Sequence, residues 1–251
     1  MAPNYDILAS VYDKLDFGNF AEALTPRLVD YALRNDWMGR RIISLGCGTG
    51  KGLQWLAQHG YLLTGVDQSE AMLEQAKASI SGGRGSVDWQ QQDILSLEGI
   101  SGMDMALALN VLGEMDSLKQ LEAAFQCIRK TLHEGRLFMF DLYTIEGLVI
   151  RYQTGDRLIY DTDDLTVFAK NHYDFERQIQ VRDYYIYTRR ENDVWQRQKA
   201  SRTMRAYPVQ AVVALAKRAN FDIHTIITPD LAPYQPGKPN TERVIMLAKA
   251  I

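Results

Sequence analysis

The stretch Arg41–Gly50, reading RIISLGCGTG, constrains this chain more than any other. An apolar run enters a loop with glycines at Gly46, Gly48 and Gly50. An amphipathic segment follows, then a second apolar run, Tyr61–Val66, that ends at Asp67. The order is strand, glycine turn, helix, strand, carboxylate. Glycines let backbone approach a ligand that a Cβ would exclude. An acid at the tip of the second strand stands where a ribose diol would sit. The pattern therefore points first to a nucleoside-containing cofactor. The plainer reading, a tight strand-to-helix turn and nothing more, accounts for the glycines but not for the acid.

Spacing narrows the choice. A dinucleotide fingerprint, G-x-G-x-x-G, would put its third glycine at position 51, which is Lys51. A phosphate-binding P-loop would follow Gly50-Lys51 with a hydroxyl, and Gly52 stands there instead. What remains is G-x-G-x-G, and here the chain resembles the class I S-adenosylmethionine-dependent methyltransferases. It departs from their first motif at Ser44, where an acid is usual. The resemblance implies a cofactor, S-adenosylmethionine, that leaves as S-adenosylhomocysteine. It implies that backbone at Gly46, Cys47 and Gly48 borders the methionine portion, with the helix opening at Gly50 behind its carboxylate. Asp67 would take the ribose hydroxyls, and Gln68 and Met72 the adenine face. Asp93 and the Ile94 amide would read the adenine edge, and Asn110 would lie beneath the sulfonium. Asp93 and Asn110 could equally serve only their own turns.

The rest of the chain fits a doubly wound α/β fold. After two N-terminal helices, Tyr5–Leu15 and Ala21–Leu33, strands are expected at Arg41–Gly46, Tyr61–Val66, Ser86–Gln91, Met103–Leu109 and Arg136–Asp141, with helices between them. Ser69 is placed to cap the helix Glu70–Ser79, and Gly82, Gly83 and Gly85 to form a loose turn. Leu118, Leu121, Phe125, Ile128 and Leu132 recur at helical spacing and read as core. Repeated strand–helix–strand units imply a mostly parallel sheet with helices on both faces. The final strands, Phe221–Ile227 and Arg243–Ala248, joined by a proline-rich loop, resemble the reversed last hairpin of the class, completing seven strands. Between them and the core, runs at 157–161, 165–173, 178–188 and 194–205 alternate apolar and polar residues, which predicts an inserted antiparallel sheet. The division expected is a cofactor-binding core, 1–142 with 207–251, and an inserted substrate or lid unit, 143–206. Tyr5 and Tyr12, seven apart and so on one helical face, belong to a segment resembling the lid of small-molecule methyltransferases, and would close on the cofactor.

Methyl transfer needs alignment and exclusion of water more than strong charge, and a base only where the acceptor is protonated. His172, Tyr143 and Tyr207 are the candidates for such a role, with Tyr173 beside His172 and Arg205 as a holder for an acceptor carboxylate. A lone histidine on a half-polar strand is more often a surface residue.

Across 251 residues, 46% are hydrophobic and 24% charged, and the net charge is −3, the profile of a soluble globular protein. No basic stripe favours nucleic acid. No apolar run approaches the ~20 residues of a membrane helix, and MAPNYDILAS lacks the basic start of a secretion signal. A cytoplasmic setting and a small-molecule acceptor are expected, with no metal; oligomeric state is not legible. Cys47 and Cys127 read as reduced thiols. Two other functions share the glycine loop: a nicotinamide-dependent oxidoreductase, disfavoured by Lys51, and a non-catalytic S-adenosylmethionine-binding protein, kept open by Ser44.

Overall fold

A computed structural model describes residues 4–80 and 84–251. Gly82 and Gly83 of the expected loose turn lie outside the described residues. Two helices, α1 (Tyr5–Ala9) and α2 (Asn19–Arg34), precede an alternating core: β1 (Arg41–Leu45), α3 (Lys51–Gln58), β2 (Leu62–Asp67), α4 (Glu70–Ser79), β3 (Ser86–Gln91), β4 (Met103–Ala108), α5 (Leu118–Thr131) and β5 (Leu132–Tyr143). The chain then runs through α6 (Ile145–Gln153), four strands, β6 (Arg157–Asp161), β7 (Leu165–Asp174), β8 (Ile179–Arg189) and β9 (Trp195–Arg205), and returns with α7 (Val209–Arg218), β10 (Phe221–Ile227) and β11 (Arg243–Ala250).

Seven strands form one sheet in the order β10-β11-β5-β4-β1-β2-β3. The five core strands pair in parallel, because each helical crossover returns the chain to the same end of the sheet. β11 runs antiparallel to both β5 and β10. The chain thus has the doubly wound α/β fold with a reversed last strand. The second sheet, β6-β7-β8-β9, is antiparallel throughout.

Both faces of the large sheet are covered, as its near-continuous apolar strands require. Phe125 of α5, Phe138 and Phe140 of β5 and Phe221 of β10 pack together on one face, along with Val212 and Leu215 of α7. Leu24 and Leu28 of α2 and Leu53 and Leu56 of α3 cover the other. The inserted sheet buries Val167, Ala169, Tyr184, Ile186 and Ala200 against Leu8 of α1, Val11 just after it and Met72 of α4. That apolar cluster joins the insert to the core.

Two elements differ from the pattern in the sequence. α1 stops at Ala9, where a helix to Leu15 is expected. The chain instead folds into turns, with Asp16 at φ 58° and the Phe17 amide bonded to the Tyr12 carbonyl, which brings the two rings edge to face. β5 begins at Leu132 rather than Arg136, through a bend at Gly135 (φ 78°). No helix among the described residues is long and apolar enough to cross a membrane.

Candidate functional site

A cavity of about 210 Å³ opens at the carboxyl ends of β1, β2 and β4. β2 and β4 flank β1 on opposite sides, so the crossovers diverge here and leave the crevice that this fold uses for ligands.

The floor is the turn between β1 and α3. Gly46 and Gly48 take positive φ, 59° and 55°. A Cβ on Gly46 would lie 2.6 Å from Val111, and one on Gly48 would project toward the Tyr12 ring at 3.7 Å, into the cavity. Gly50 has a different task. It caps α3 in the left-handed conformation, and its Cβ would press on Ile80, Ala76 and Trp89 at 3.0–3.2 Å. Gly50 therefore shapes the turn from outside and does not line the cavity, contrary to the expectation of a cofactor contact. Cys47 also stands off it. Its side chain packs against the core beneath α2 and α3, where burial, reinforced by the charge of Asp67, pushes its thiol up.

Asp67, the last residue of β2, is 8% exposed. Its Oδ2 accepts the Gly48 amide at 2.8 Å and its Oδ1 the Ser69 amide at 3.0 Å. Burial raises the carboxyl's pKa, and these amides pull against the rise. Each carboxylate oxygen retains acceptor capacity, and the residue lines the cavity. Gln68, Met72, Asp93 and Ile94 line it too. Asp93 caps a short 3-10 turn by accepting the Leu95 amide at 2.9 Å.

On the far side of the glycine turn, Asn110 follows β4 at φ 60°, a conformation that asparagine tolerates better than most residues. Its amide donates to Asp141 Oδ1 at 2.5 Å, and its Oδ1 accepts Arg243 Nη2 at 2.9 Å. Arg243 also binds Asp141 and the Tyr143 hydroxyl, and lies between the rings of Phe20 and Tyr143, 4.0 and 3.7 Å from their centroids. Next comes Glu114, whose Oε1 accepts Arg202 Nη2 at 2.7 Å, Arg202 Nε at 3.1 Å and the Tyr5 hydroxyl. The side chains of Arg202 and Glu114 are only 4% and 9% exposed. Burial drives the Tyr5 pKa well up, with Arg202 opposing, so the phenol stays a donor.

The roof is the N-terminal segment. Tyr5 and Tyr12 line the cavity. The segment is tied to the walls at Tyr5–Glu114, at Ser69 Oγ to Asp6 Oδ1 (2.6 Å) and at Thr49 Oγ1 to Asp13 Oδ1 (2.7 Å).

The three candidates for a base are elsewhere. His172 is half exposed on the outer side of the inserted sheet, its Nε2 4.0 Å from Asp183 Oδ2. Tyr143 is buried behind Asn110, bonded to Arg243 and to Arg151 at 3.0 Å; burial alone would raise its hydroxyl, but these two cations bring it below its ordinary value. Tyr207, pushed up to about 12 by burial, donates to the Met115 carbonyl at 2.5 Å and so holds a wall segment rather than lining the cavity. Arg205 lies 3.7 Å from Asp116. Conversely, Glu114, Asp116, Gln120 and Thr203 line the cavity without having been expected there. One signal for Arg202 was present: it shares strand parity with Ala200 and Met204, the inward side of β9.

Fold and cavity together define a doubly wound α/β protein with a ligand-sized crevice at the switch point of its sheet. Residues 42–135 match the family described as "Methyltransferase domain". A protein of Geobacillus sp. (strain WCH70), provisionally named a methyltransferase, is 26% identical across 98% of this chain and 99% of its own length. Among solved structures, an S-adenosylmethionine-dependent methyltransferase from Clostridium acetobutylicum superposes with a TM-score of 0.81 at 20% identity, covering 98% of each chain. The sugar N-methyltransferase KedS8 from Streptoalloteichus sp. gives 0.72 at 17% identity, covering 100% of this chain and 94% of its own. The methyltransferase domain at residues 42–135 and the fold shared along the whole chain with these proteins support a class I S-adenosylmethionine-dependent methyltransferase, with S-adenosylmethionine as the cofactor.

Proposed function

We propose that this enzyme methylates a small-molecule acceptor. The cofactor is held across the glycine turn, between Asp67 and Asn110. The observation that carries this reading is the Asp67 carboxylate, fixed by two loop amides with acceptor capacity left over beside a floor that only glycine leaves open. Asp67 takes the ribose hydroxyls. Gln68, Met72, Asp93 and Ile94 border the adenine. The backbone at Gly46 and Gly48 lies along the methionine portion, and the Asn110–Asp116 segment faces the acceptor. The bound cofactor supplies an electrophilic methyl group. The chain's own work is to orient the two reactants and keep water out, which Tyr5 and Tyr12 do from above. Residues 143–206 serve as the acceptor-facing unit, contributing Thr203 and Arg202 to this end of the molecule.

A small acceptor suits a cavity with no Lys, Arg or His among its lining residues, and a sugar N-methyltransferase is among the proteins of similar fold. The net charge of −3 offers no general attraction for nucleic acid, and the cytoplasm is the setting proposed. The methyltransferase-domain match at residues 42–135 disfavours the nicotinamide alternative.

Calorimetric titration with S-adenosylhomocysteine tests the cofactor site. Asp67→Ala removes two charge-assisted hydrogen bonds at about 1.5–3 kcal/mol each, so affinity should fall by roughly two orders of magnitude or more. An unchanged Kd would refute the assignment.

A further inference from the structure

Glu114 sits at the end of the short 3-10 turn Leu112–Glu114, directly after β4, and lines the cavity. Both nitrogens of Arg202 that reach it, and the Tyr5 hydroxyl, converge on a single oxygen, Oε1. Among the described residues no donor reaches Oε2. The side chain is nine-tenths buried, yet Oε2 stays open toward the cavity, free to take a donor from a ligand there. We infer that the methyl acceptor is an amine and that Glu114 Oε2 accepts its N–H. This rests on the cofactor reading above.

The charge around the cavity separates an amine from a hydroxyl. Asp67, Asp93, Glu114 and Asp116 line it, and no cationic side chain does. Arg202 lies behind Glu114 and is engaged by it; Arg205 stands outside, beside Asp116. A hydroxyl nucleophile must shed its proton and attack as an anion, which the carboxylates at the acceptor end, Glu114 and Asp116, oppose. An amine attacks as the neutral base and ends as a cation, which they favour. In the step, the nitrogen lone pair forms the bond to the methyl carbon while the carbon–sulfur pair stays on sulfur. The surplus proton on nitrogen leaves through Oε2 to water. Glu114 also fixes direction, since an N–H held at Oε2 turns the nitrogen lone pair away from the carboxylate.

Ammonium and primary alkylamines, titrated by calorimetry into the enzyme saturated with S-adenosylhomocysteine, probe Oε2 without a known acceptor. The wild-type enzyme should bind the amines about tenfold more tightly than the matched alcohols, the value of one charge-assisted hydrogen bond. Glu114→Gln keeps an oxygen for Arg202 and Tyr5 but turns Oε2 into a donor. It should erase that preference while S-adenosylhomocysteine affinity stays within threefold. A preference for amines that survives E114Q overturns the inference and leaves the cofactor site standing. Failure of the wild type to bind S-adenosylhomocysteine sinks the cofactor reading itself. Should E114Q not fold, the wild-type comparison decides alone: no preference for amines over alcohols overturns the proposal. In methyl-transfer assays on matched panels of primary amines, alcohols and phenols, any product formed should be an N-methyl amine; a methylated alcohol or phenol overturns the class.

Discussion

The two ends of the cavity are built from different materials. At Asp67 the wall is held by main-chain amides, from Ser69, two residues away, and from Gly48, 19 residues away. At Glu114 it is held by side chains: Tyr5, 109 residues away, and Arg202, 88 residues away. The first arrangement follows from local backbone geometry and tolerates change in most neighbouring side chains. The second depends on a buried ion pair that stands only while both partners are present. In the reading proposed above, the first end takes the cofactor and the second the acceptor.

The largest test of that contrast is Arg202→Ala. It strands a buried carboxylate, and should destabilise the fold by about 3–5 kcal/mol, read from urea denaturation; a loss under about 1 kcal/mol would mean the pair does not organise its end. Replacing Arg202 and Glu114 together with apolar residues should cost much less than the single change.

Acid should act on the other end. Burial has raised the Asp67 pKa, and only the ionised form accepts both ribose hydroxyls. Cofactor affinity should therefore fall as pH drops through that raised pKa, by about tenfold per pH unit below it, starting above the ordinary range for aspartate. Stability moves the opposite way for this group. Its contribution is complete below the unfolded pKa and is lost as pH rises through the folded one. Affinity that in Asp67→Asn keeps the same acid limb would assign the limb to another group.

The smallest effect is expected at His172. Half exposed and 4.0 Å from Asp183, it should tolerate His172→Gln with a stability change within about 0.5 kcal/mol and unaltered turnover. A large fall in turnover would restore it as a candidate for the chemistry.

The same contrast governs what could be read without coordinates. The sheet, its reversed last strand and the cavity-lining Gly46, Gly48 and Asp67 lie within local patterns of spacing and alternation. Gly50 was harder, because a left-handed turn and a ligand contact demand the same residue; only its closeness to Ala76 and Trp89 distinguishes them. The Glu114 end was illegible for a physical reason. Alternation shows that Arg202 shares a face with Ala200, but not which distant carboxylate meets it. His172 stood out as a titratable group in the insert, yet its strand parity gives the outer face.

The roof has a kinetic consequence. α1 is five residues long, far below the length at which a helix holds itself in water. Its order is borrowed from the apolar seat of Leu8 and Val11, from the Asp6–Ser69 and Asp13–Thr49 contacts and from Tyr5 on Glu114. A ligand lodged beneath such a roof can leave only after those contacts yield and Leu8 and Val11 come out of their apolar seat, so the cheapest part of the fold to open lies directly above the cavity.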